Sequence, residues 1–328
     1  MAEYLTNTAD LTAVADAIRA KGGTAAQLVY PAGFVSAIQA IQTGVTPQLI
    51  VTTSAGAAVT ATKGSKTVSG TAGADGTCTL ELSEAGEWSV TSSLNDNSNT
   101  QTVLIGTQTV DIRLIDSVFA NNSWEMIIAA CRSGSVPGSW VVGNSKNMTI
   151  NGAEYQIDII GKNHDDYADG SGKAPLTFQL HDCYTFTTIN SSGGNYGGWK
   201  ACEMRTTFLP NILALMPAEV QNGIREVNKV TSTGATSTDL ETVPDKLFLL
   251  SEVEIRDRNA YSVSGEGARY EYYDTNPIKK KYNDNYYTYW TRSPCRYDRA
   301  HFVAINSSES STETLTESSQ PIPFAFCF

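Results

Sequence analysis

The chain contains 328 residues with a formal net charge of -11, and 41% of its residues are hydrophobic while 17% are charged. This length exceeds one ordinary domain and suffices for two or three, and the composition is typical of a folded rather than a disordered protein. The acidic balance argues against general nucleic-acid binding, because contacts to phosphates need a basic surface.

The first residues, Met1 to Leu11, carry neither the basic nor the apolar segment of a secretory signal. No apolar run approaches the length of a membrane span, so we expect a protein without membrane insertion that is made in the cytoplasm. The cysteines lie far apart without a C-x-x-C pair, which indicates neither a zinc module nor a disulfide framework. We predict most of them to be small buried residues. They are Cys78, Cys131, Cys183, Cys202, Cys295 and Cys327.

Two short helices are predicted at the N-terminal end. The first covers Asp10 to Lys21, and the second begins near Pro31 and ends at Gly44. Their apolar faces carry Leu11, Val14, Ala15 and Ile18 in the first helix and Phe34, Val35, Ile38 and Ile41 in the second. Two helices of this length cannot enclose a core alone, so residues 1–46 are predicted to be a helical anchor or oligomerisation segment.

Short β-branched runs separated by glycines follow in residues 47–115. The predicted strands are Leu49–Val51, Ala58–Thr60, Thr77–Leu80, Trp88–Val90, Val103–Ile105 and Val110–Leu114. About six or seven strands in a segment of this length are typical of a small sandwich. The segment holds no cluster of titratable residues, so we predict an Ig-like β-sandwich that acts as a spacer.

Residues 116–328 mix both kinds of pattern and are predicted to form one α+β domain. Asn151-Gly152 lies between two alternating runs, which predicts a β-hairpin with a turn that matches strand twist. Pro210 and Pro217 are expected in the first turns of helices. The predicted helices are Trp199–Leu215 and Pro217–Val227, and the predicted strands are Lys246–Ile255, Tyr287–Arg292, His301–Ile305 and Pro323–Phe328.

Eight of the fifteen tyrosines lie between Tyr270 and Tyr297. Tyr, Asn and Arg dominate recognition surfaces, because a tyrosine gives a large, stiff contact at small entropic cost. We expect that a buried core would not contain tyrosine so densely, although alternation along a strand would turn about half of the rings inward. The predicted ligand contacts are Tyr282, Asn283, Asn285, Tyr287, Tyr289, Arg296, Tyr297, Asp298, Arg299 and His301.

The same region is locally basic. Between Lys279 and His301 six Lys or Arg residues face only Asp284 and Asp298. An anionic ligand could therefore be held there despite the overall negative charge.

The segment His164–Asp169 concentrates three carboxylates, which could hold a cation. Its spacing does not match an EF-hand, since no Glu closes the loop. We therefore predict a turn with internal hydrogen bonds, in which Lys162 and Lys173 neutralise the charge, and no metal site.

Cys295 lies between Arg292 and Arg296, whose charges would favour its thiolate. An enzyme acting on a cell-surface glycan or thiol, centred on Cys295 or on the His164 segment, is thus an alternative. His301 is near in sequence as a base, but no cysteine pair accompanies Cys295. We predict no catalytic residue, no cofactor and no enzyme activity.

Several motifs occur in order along the larger domain, namely Ile160–Asp166, Leu176–Phe178, Gly197–Arg205, Leu249–Glu252, Glu266-Gly267 with Tyr270, and Tyr289–Pro294. Together they resemble a C-terminal domain of unknown function found in tail proteins of phages from gut Firmicutes. Residues 1–44 are likewise similar to the opening of phage tail proteins. The chain departs from the family ending, where an Arg-Pro pair precedes the last strand, because Gln320-Pro321 stands there instead.

The resemblance implies a C-type-lectin-like fold related to formylglycine-generating enzymes and to the variable proteins of diversity-generating retroelements. It implies that Trp290, Arg292 and Ser293 belong to the scaffold, while loop positions around them vary. Retroelement mutagenesis alters adenines, and Asn codons then yield Asn, Asp, Tyr, His, Ser or Thr. The segments Tyr282–Tyr289 and Arg296–His301 are dominated by such residues.

The resulting prediction is a receptor-binding protein, or adhesin, of the virion tail. It would bind a host cell-surface protein or glycan through residues 116–328 and other tail proteins through its N-terminal segment, as a homotrimer that adds avidity. A structural tail component without its own receptor is the other alternative besides an enzyme.

Overall fold

The computed structural model describes residues 8–20, 28–30, 33–34, 46–95, 97–106 and 108–328. The chain divides into two compact units, Met1–Leu114 and Ile115–Phe328. It is multidomain and mostly β with a few helices, as predicted. None of the helices in these ranges is long and apolar enough to span a membrane.

The first described element of the first unit is helix α1 (Thr8–Ala20). Ala15 and Ile18 are buried together with Phe34, whereas Val14, which was predicted on the same face, is exposed. The second predicted helix falls outside the described residues apart from Gly33 and Phe34.

A seven-stranded β-sandwich fills the described part of residues 48–113. Its strands are β1 (Gln48–Thr52), β2 (Ala58–Lys63), β3 (Lys66–Thr71), β4 (Thr77–Glu81), β5 (Gly86–Leu94), β6 (Asn97–Ile105) and β7 (Val110–Arg113). The sheets β4-β1-β7 and β3-β2-β5-β6 share one apolar core around Trp88. Buried residues alternate with half-buried ones in β1 and with exposed ones in β4, as expected for strands that cover a core on one side. Strand β3 was missed because none of its residues is buried and its sequence carries no apolar alternation.

The second unit holds the remaining elements. Its helices are α2 (Trp124–Ser133), α3 (Gly198–Ala201), a π-helix (Met204–Phe208), α4 (Leu209–Leu213), α5 (Ala218–Gly223), α6 (Glu252–Arg256) and α7 (Tyr272–Thr275), with a 3₁₀ turn at Phe119–Asn121. Its first strands are β8 (Ser145–Ile150), β9 (Ala153–Lys162), β10 (Leu176–Leu180), β11 (Phe186–Thr187), β12 (Val227–Ser232), β13 (Leu240–Asp245) and β14 (Leu247–Phe248). Its last strands are β15 (Lys280–Tyr282), β16 (Asn285–Tyr287), β17 (Tyr289–Pro294), β18 (His301–Ile305), β19 (Ser311–Leu315), β20 (Gln320–Pro321) and β21 (Ala325–Cys327).

A five-stranded sheet in the order β14-β21-β10-β9-β8 lies at the centre of this unit, and a three-stranded sheet β17-β18-β19 contributes to the same core. The predicted hairpin is confirmed as β8–β9. Asn151 and Gly152 have φ angles of 50° and 79°, the left-handed conformation that a two-residue hairpin turn requires.

Three local predictions were wrong in extent. The helix predicted over Pro217–Val227 covers only Ala218–Gly223, and Val227 begins strand β12. The run from Lys246 forms a strand only at Leu247–Phe248, because the Ser251 hydroxyl accepts the Glu254 N–H and the Glu254 carboxylate accepts the Ser251 N–H. This capping box begins helix α6 where a strand had been predicted. The helix predicted over Trp199–Leu215 is divided into α3, the π-helix and α4, with Pro210 in the first turn of α4 as expected.

Candidate functional site

Strand β17 is the rigid centre of the region in which the ligand contacts were predicted. All six of its residues, Tyr289 to Pro294, are buried. The Trp290 indole donates to the Thr187 carbonyl at 3.0 Å. The burial of Trp290, Arg292 and Ser293 agrees with the scaffold role that the resemblance implies for them.

Arg292 fixes β17 to several other elements. Its buried guanidinium pairs with both oxygens of the Glu254 carboxylate. It also donates to the carbonyls of Leu249, Val230 and Glu266, each at 3.1 Å. A planar donor group that is paired bidentately and also donates to backbone carbonyls holds its neighbours in one geometry.

Lys229 extends this buried charge network. Its Nζ lies 2.7 Å from carboxylate oxygens of both Asp165 and Glu254. The hydroxyls of Tyr270 and Thr177 donate to Asp165 at 2.9 and 2.6 Å. Burial alone would raise the pKa of Asp165, but the Lys229 ammonium and the hydrogen bonds from Lys229 and Thr177 lower it to about 2.

Glu266 is a further buried carboxylate that contacts β17, through Ser293. Its carboxylate accepts the Ser232 N–H at 2.7 Å and the Ser293 hydroxyl. Burial raises the pKa of Glu266 to about 7, although these hydrogen bonds and Arg292 act in the opposite direction.

The acidic segment His164–Asp169 is neutralised by protein cations. Asp166 pairs with Lys173 at 3.0 Å, as predicted, and Asp169 pairs with Arg225. Lys162 does not take part, because its ammonium donates to the Trp140 carbonyl at 2.8 Å. In the part of the chain that the structure describes, no group of His, Cys, Asp and Glu residues is arranged to hold a metal ion.

Tyr289 was wrongly predicted to contact a ligand. It is fully buried, and its hydroxyl donates to the Ile278 carbonyl at 2.7 Å. Tyr270, Tyr272 and Tyr273 are buried as well. The expectation that a core would not contain tyrosine so densely was therefore wrong, because these rings belong to the core of the unit, where the hydroxyls of Tyr272 and Tyr273 find acceptors on β9 and β10.

The hairpin β15–β16 carries the first group of predicted contacts. Its turn residues Asn283 and Asp284 have φ angles of 47° and 63°. Asn283 and Asn285 are exposed, and the rings of Tyr282 and Tyr287 lie 5.0 and 5.1 Å from the Phe186 ring, edge to face. These two tyrosines thus lie on the face that contacts the rest of the unit.

The opposite face of this hairpin was not singled out from sequence. Tyr286, which is 46% exposed, pairs across the hairpin with Lys281. The ammonium groups of Lys279 and Lys281 lie 4.8 and 5.6 Å from the centroid of its ring. The alternation of side chains along a strand was the signal that could have separated Tyr286 from Tyr287.

The loop that follows β17 carries the second group of predicted contacts. The Arg296 guanidinium lies 4.6 Å from the Tyr297 ring centroid, and Arg299 donates to the hydroxyl of Tyr196 at 3.0 Å. The Asp298 carboxylate accepts a hydrogen bond from the backbone N–H of Ala300 at 2.8 Å. The same carboxylate lies 3.2 Å from Nδ1 of the half-buried His301. Tyr196, which is 57% exposed, was missed because it is far from this loop in sequence.

The side chain of Asn195 fixes this loop by hydrogen bonds. Its buried amide group donates to the carbonyls of Cys295, Asp298 and His301 at 3.1, 3.2 and 2.8 Å. One side chain thus fixes three points of the loop, so its exposed residues are presented in a defined arrangement.

Apart from the buried Tyr289, the ten predicted contacts therefore fall into two groups, because the hairpin immediately precedes β17 and the loop immediately follows it. Tyr289 pairs with Ile305 and Pro294 with Phe302, so the irregular strand between the groups spans about 10 Å. We call them the hairpin patch (Tyr282, Asn283, Asn285 and Tyr287) and the loop patch (Arg296, Tyr297, Asp298, Arg299 and His301).

Cys295 does not have the reactive character that the enzyme alternative requires. Its thiol is buried and donates to the Glu313 carboxylate at 3.1 Å. Burial raises the pKa of this thiol to about 11. The Arg292 guanidinium forms an ion pair with Glu254, and the Arg296 guanidinium lies over the Tyr297 ring. Neither arginine therefore stabilises a Cys295 thiolate. All six cysteines are free and buried, as expected for most of them.

Comparison with known proteins gives two findings. A family model described as "Domain of unknown function (DUF6273)" matches residues 181–328. A solved fimbrial protein from Bacteroides ovatus ATCC 8483 is similar at 9% identity, over 86% of this chain and 71% of that chain, with a TM-score of 0.21. Such a low score carries no argument about fold or function. No curated protein matches the chain.

Proposed function

We propose that the chain is a phage tail receptor-binding protein whose second unit is a variant of the C-type-lectin-like fold. In this proposal the hairpin patch and the loop patch present Tyr, Asn and Arg side chains to a host cell-surface protein or glycan. The N-terminal segment attaches the protein to other tail proteins, and a homotrimer multiplies weak individual contacts.

One observation carries the proposal: a fully buried strand is flanked at both ends by exposed aromatic and charged residues. Strand β17 is fixed by Arg292, Trp290 and Ser293, whereas Tyr287 and Tyr297 are 37% and 60% exposed. Rigid elements that position exposed aromatic side chains lower the entropic cost of binding. Exposed residues such as Asn283 and Tyr297 can change without loss of the fold, because the buried contacts of β17 do not depend on them.

The enzyme alternative has little support in the described residues. The Cys295 thiol is bonded to a carboxylate and its pKa is raised. The carboxylates near His164 are each paired with a lysine or an arginine. Neither arrangement provides an activated nucleophile with a free partner base.

The test is binding of the fluorescently labelled full-length protein to a panel of intestinal Firmicutes strains. We expect binding to a subset of strains, and a marked loss of binding when Tyr287 or the pair Arg296 and Tyr297 is replaced by alanine. Tyr30→Ala is the matched control, because Tyr30 is 60% exposed but lies in the other unit. If every variant binds as the wild type does, or if no strain is bound, the proposal is wrong.

The proposed diversification has its own test at the level of DNA. We expect a near-copy of the sequence encoding Tyr270–Phe328 that differs mainly at adenines and lies beside a reverse transcriptase gene. Codons for Asn283 and Asn285 should differ between the copies, while the codon for Arg292 should not. Copies that differ equally at buried and exposed positions would contradict this part of the proposal.

A further inference from the structure

We propose that the outward face of the hairpin β15–β16, formed by Lys279, Tyr286 and Lys281, binds an acidic polysaccharide. The two ammonium groups would pair with acid groups of the polymer, and the Tyr286 ring would contact the face of a sugar ring. This inference rests on the proposed receptor-binding function and specifies the chemical class of the ligand.

The first argument is the placement of the charges. Both ammonium groups approach the same exposed ring, at 4.8 and 5.6 Å from its centroid. Lys279 and Lys281 are two residues apart, so their side chains leave the chain on one side, about 7 Å from each other. A cation, an aromatic ring and a second cation therefore form one continuous face.

The second argument is that these charges are not compensated. Within the described residues neither Lys279 nor Lys281 forms an ion pair, although acidic residues outnumber basic ones by 34 to 23 in the chain. Other lysines contact carboxylates, namely Lys63, Lys66, Lys173, Lys200 and Lys229. The nearby Asp182 carboxylate accepts the backbone N–H of Lys281 at 2.8 Å. Unpaired cations beside an exposed ring attract a ligand of opposite charge.

The third argument is that the hairpin is held in place before any ligand arrives. The buried ammonium of Lys280 donates to the carbonyls of Leu180 and His181, both at 2.8 Å. The Cys183 N–H donates to the Lys281 carbonyl at 2.8 Å. The Asn285 side chain closes the turn by donating to the Asn283 carbonyl at 2.9 Å. Binding on this face therefore needs little additional ordering of the protein.

The chemistry of the face favours a polysaccharide over other polyanions. A nucleic acid is a poorer fit, because its phosphate backbone presents a dense row of charges whose binding needs many more cations than two. A protein partner would need an apolar centre surrounded by a polar rim, whereas here one ring is bracketed by charges. Lysine ammonium groups are compact point charges on flexible stems, which suits separate acid groups on a repeating chain.

The experiment measures binding of the full-length protein to immobilised polygalacturonate, hyaluronate and heparin. Methyl-esterified polygalacturonate and dextran are the neutral controls, since the ester retains the sugar ring but lacks the charge. We expect binding to at least one acidic polymer, none to the neutral ones, and weaker binding as salt is added. The variants Lys279→Met, Lys281→Met and Tyr286→Ala should each bind about fivefold more weakly.

Lys246→Met is the matched control variant, because Lys246 is exposed on the same unit but outside the hairpin. Its binding should equal that of the wild type, and all variants should unfold at the same temperature as the wild type. Equal binding to the esterified and free polymer, no binding to any acidic polymer, or unchanged binding by the three hairpin variants would overturn the inference. Strains that are bound equally by wild type and by these variants would overturn it while leaving the proposed function intact.

Discussion

The stretch from Tyr270 to Tyr297 contains two groups of tyrosines that lie close together in sequence but differ in their surroundings. The core tyrosines, Tyr270, Tyr272, Tyr273 and Tyr289, are all buried. The surface tyrosines, Tyr282, Tyr286, Tyr287 and Tyr297, are half-buried or exposed.

The two groups also differ in what their hydroxyls contact. The hydroxyls of Tyr270, Tyr272 and Tyr273 donate to Asp165, Asp158 and Gln179 at 2.6 to 2.9 Å. A buried hydroxyl needs such a partner, because desolvation without a hydrogen bond is costly. Tyrosine density therefore indicates both a polar network in the core and a recognition surface, and the hydroxyl's partner distinguishes them.

The largest effect is expected for the arginine that separates the two patches. Arg292→Met should destabilise the second unit by about 3–5 kcal/mol, because it leaves Glu254 buried with an incomplete set of partners. The shift of the urea midpoint, followed by tryptophan fluorescence, measures this loss. Arg299→Met removes an exposed charge from the loop patch and should leave the midpoint unchanged. A similar shift for both variants would mean that the buried pair does not support β17.

The second prediction concerns the pH dependence of stability that the buried Glu266 carboxylate causes. The pKa of Glu266 is about 7 in the folded protein, whereas the ordinary pKa of a glutamate is 4.5. The folded state therefore binds this proton more tightly than the unfolded state does. Its contribution to stability is complete below the ordinary pKa and is lost as the pH rises from there to about 7, by about 3 kcal/mol. An amide can accept the Ser232 N–H and donate to Ser293, so Glu266→Gln should remove this loss.

The measurement for Glu266 is the free energy of unfolding of wild type and variant between pH 4 and 8. The variant should gain on the wild type as the pH rises through this window. The raised pKa of His181, caused by its hydrogen bond to Asp158, produces a loss in the same direction, but it cancels between the two proteins. Glu271→Gln, an exposed replacement, should give a curve parallel to the wild type. A parallel curve for Glu266→Gln would show that its carboxylate is not perturbed.

The third prediction compares the loss of stability when core and surface tyrosines are replaced by phenylalanine. Tyr270→Phe and Tyr273→Phe each leave a buried acceptor, Asp165 or Gln179, short of a donor. Each should cost about 1–3 kcal/mol in chemical denaturation. The same replacement at Tyr287 should cost less than about 0.5 kcal/mol. If the core and surface replacements cost the same, the hydroxyl partners do not explain the two groups.

Features with a local cause could be predicted from the sequence. The hairpin at Asn151-Gly152 follows from two residues that tolerate positive φ. The capping box could also have been predicted from the sequence, because Ser251 is followed three residues later by Glu254. It was overlooked because the apolar run before it has the pattern of a buried strand.

Features that depend on distant residues could not be predicted. Nothing near Lys229 in sequence indicates that it is buried between Asp165 and Glu254, because these partners come from other elements. The burial of Tyr289 likewise depends on how the sheets pack. The division into two patches follows from the position of the buried strand β17 between them, which the sequence alone did not show.

The smallest effect on stability is expected for the surface tyrosines. Tyr286 and Tyr297 contact only neighbouring cations, Lys279 and Lys281 in one case and Arg296 in the other, among the contacts the structure describes. Replacing either tyrosine by alanine should change the free energy of unfolding by less than about 0.5 kcal/mol. The same two variants should weaken attachment to host cells, because the rings provide contact area to the ligand rather than to the fold. Unfolding and cell binding measured on one preparation separate the two roles, since a loss of stability with unchanged binding would assign these rings to the scaffold.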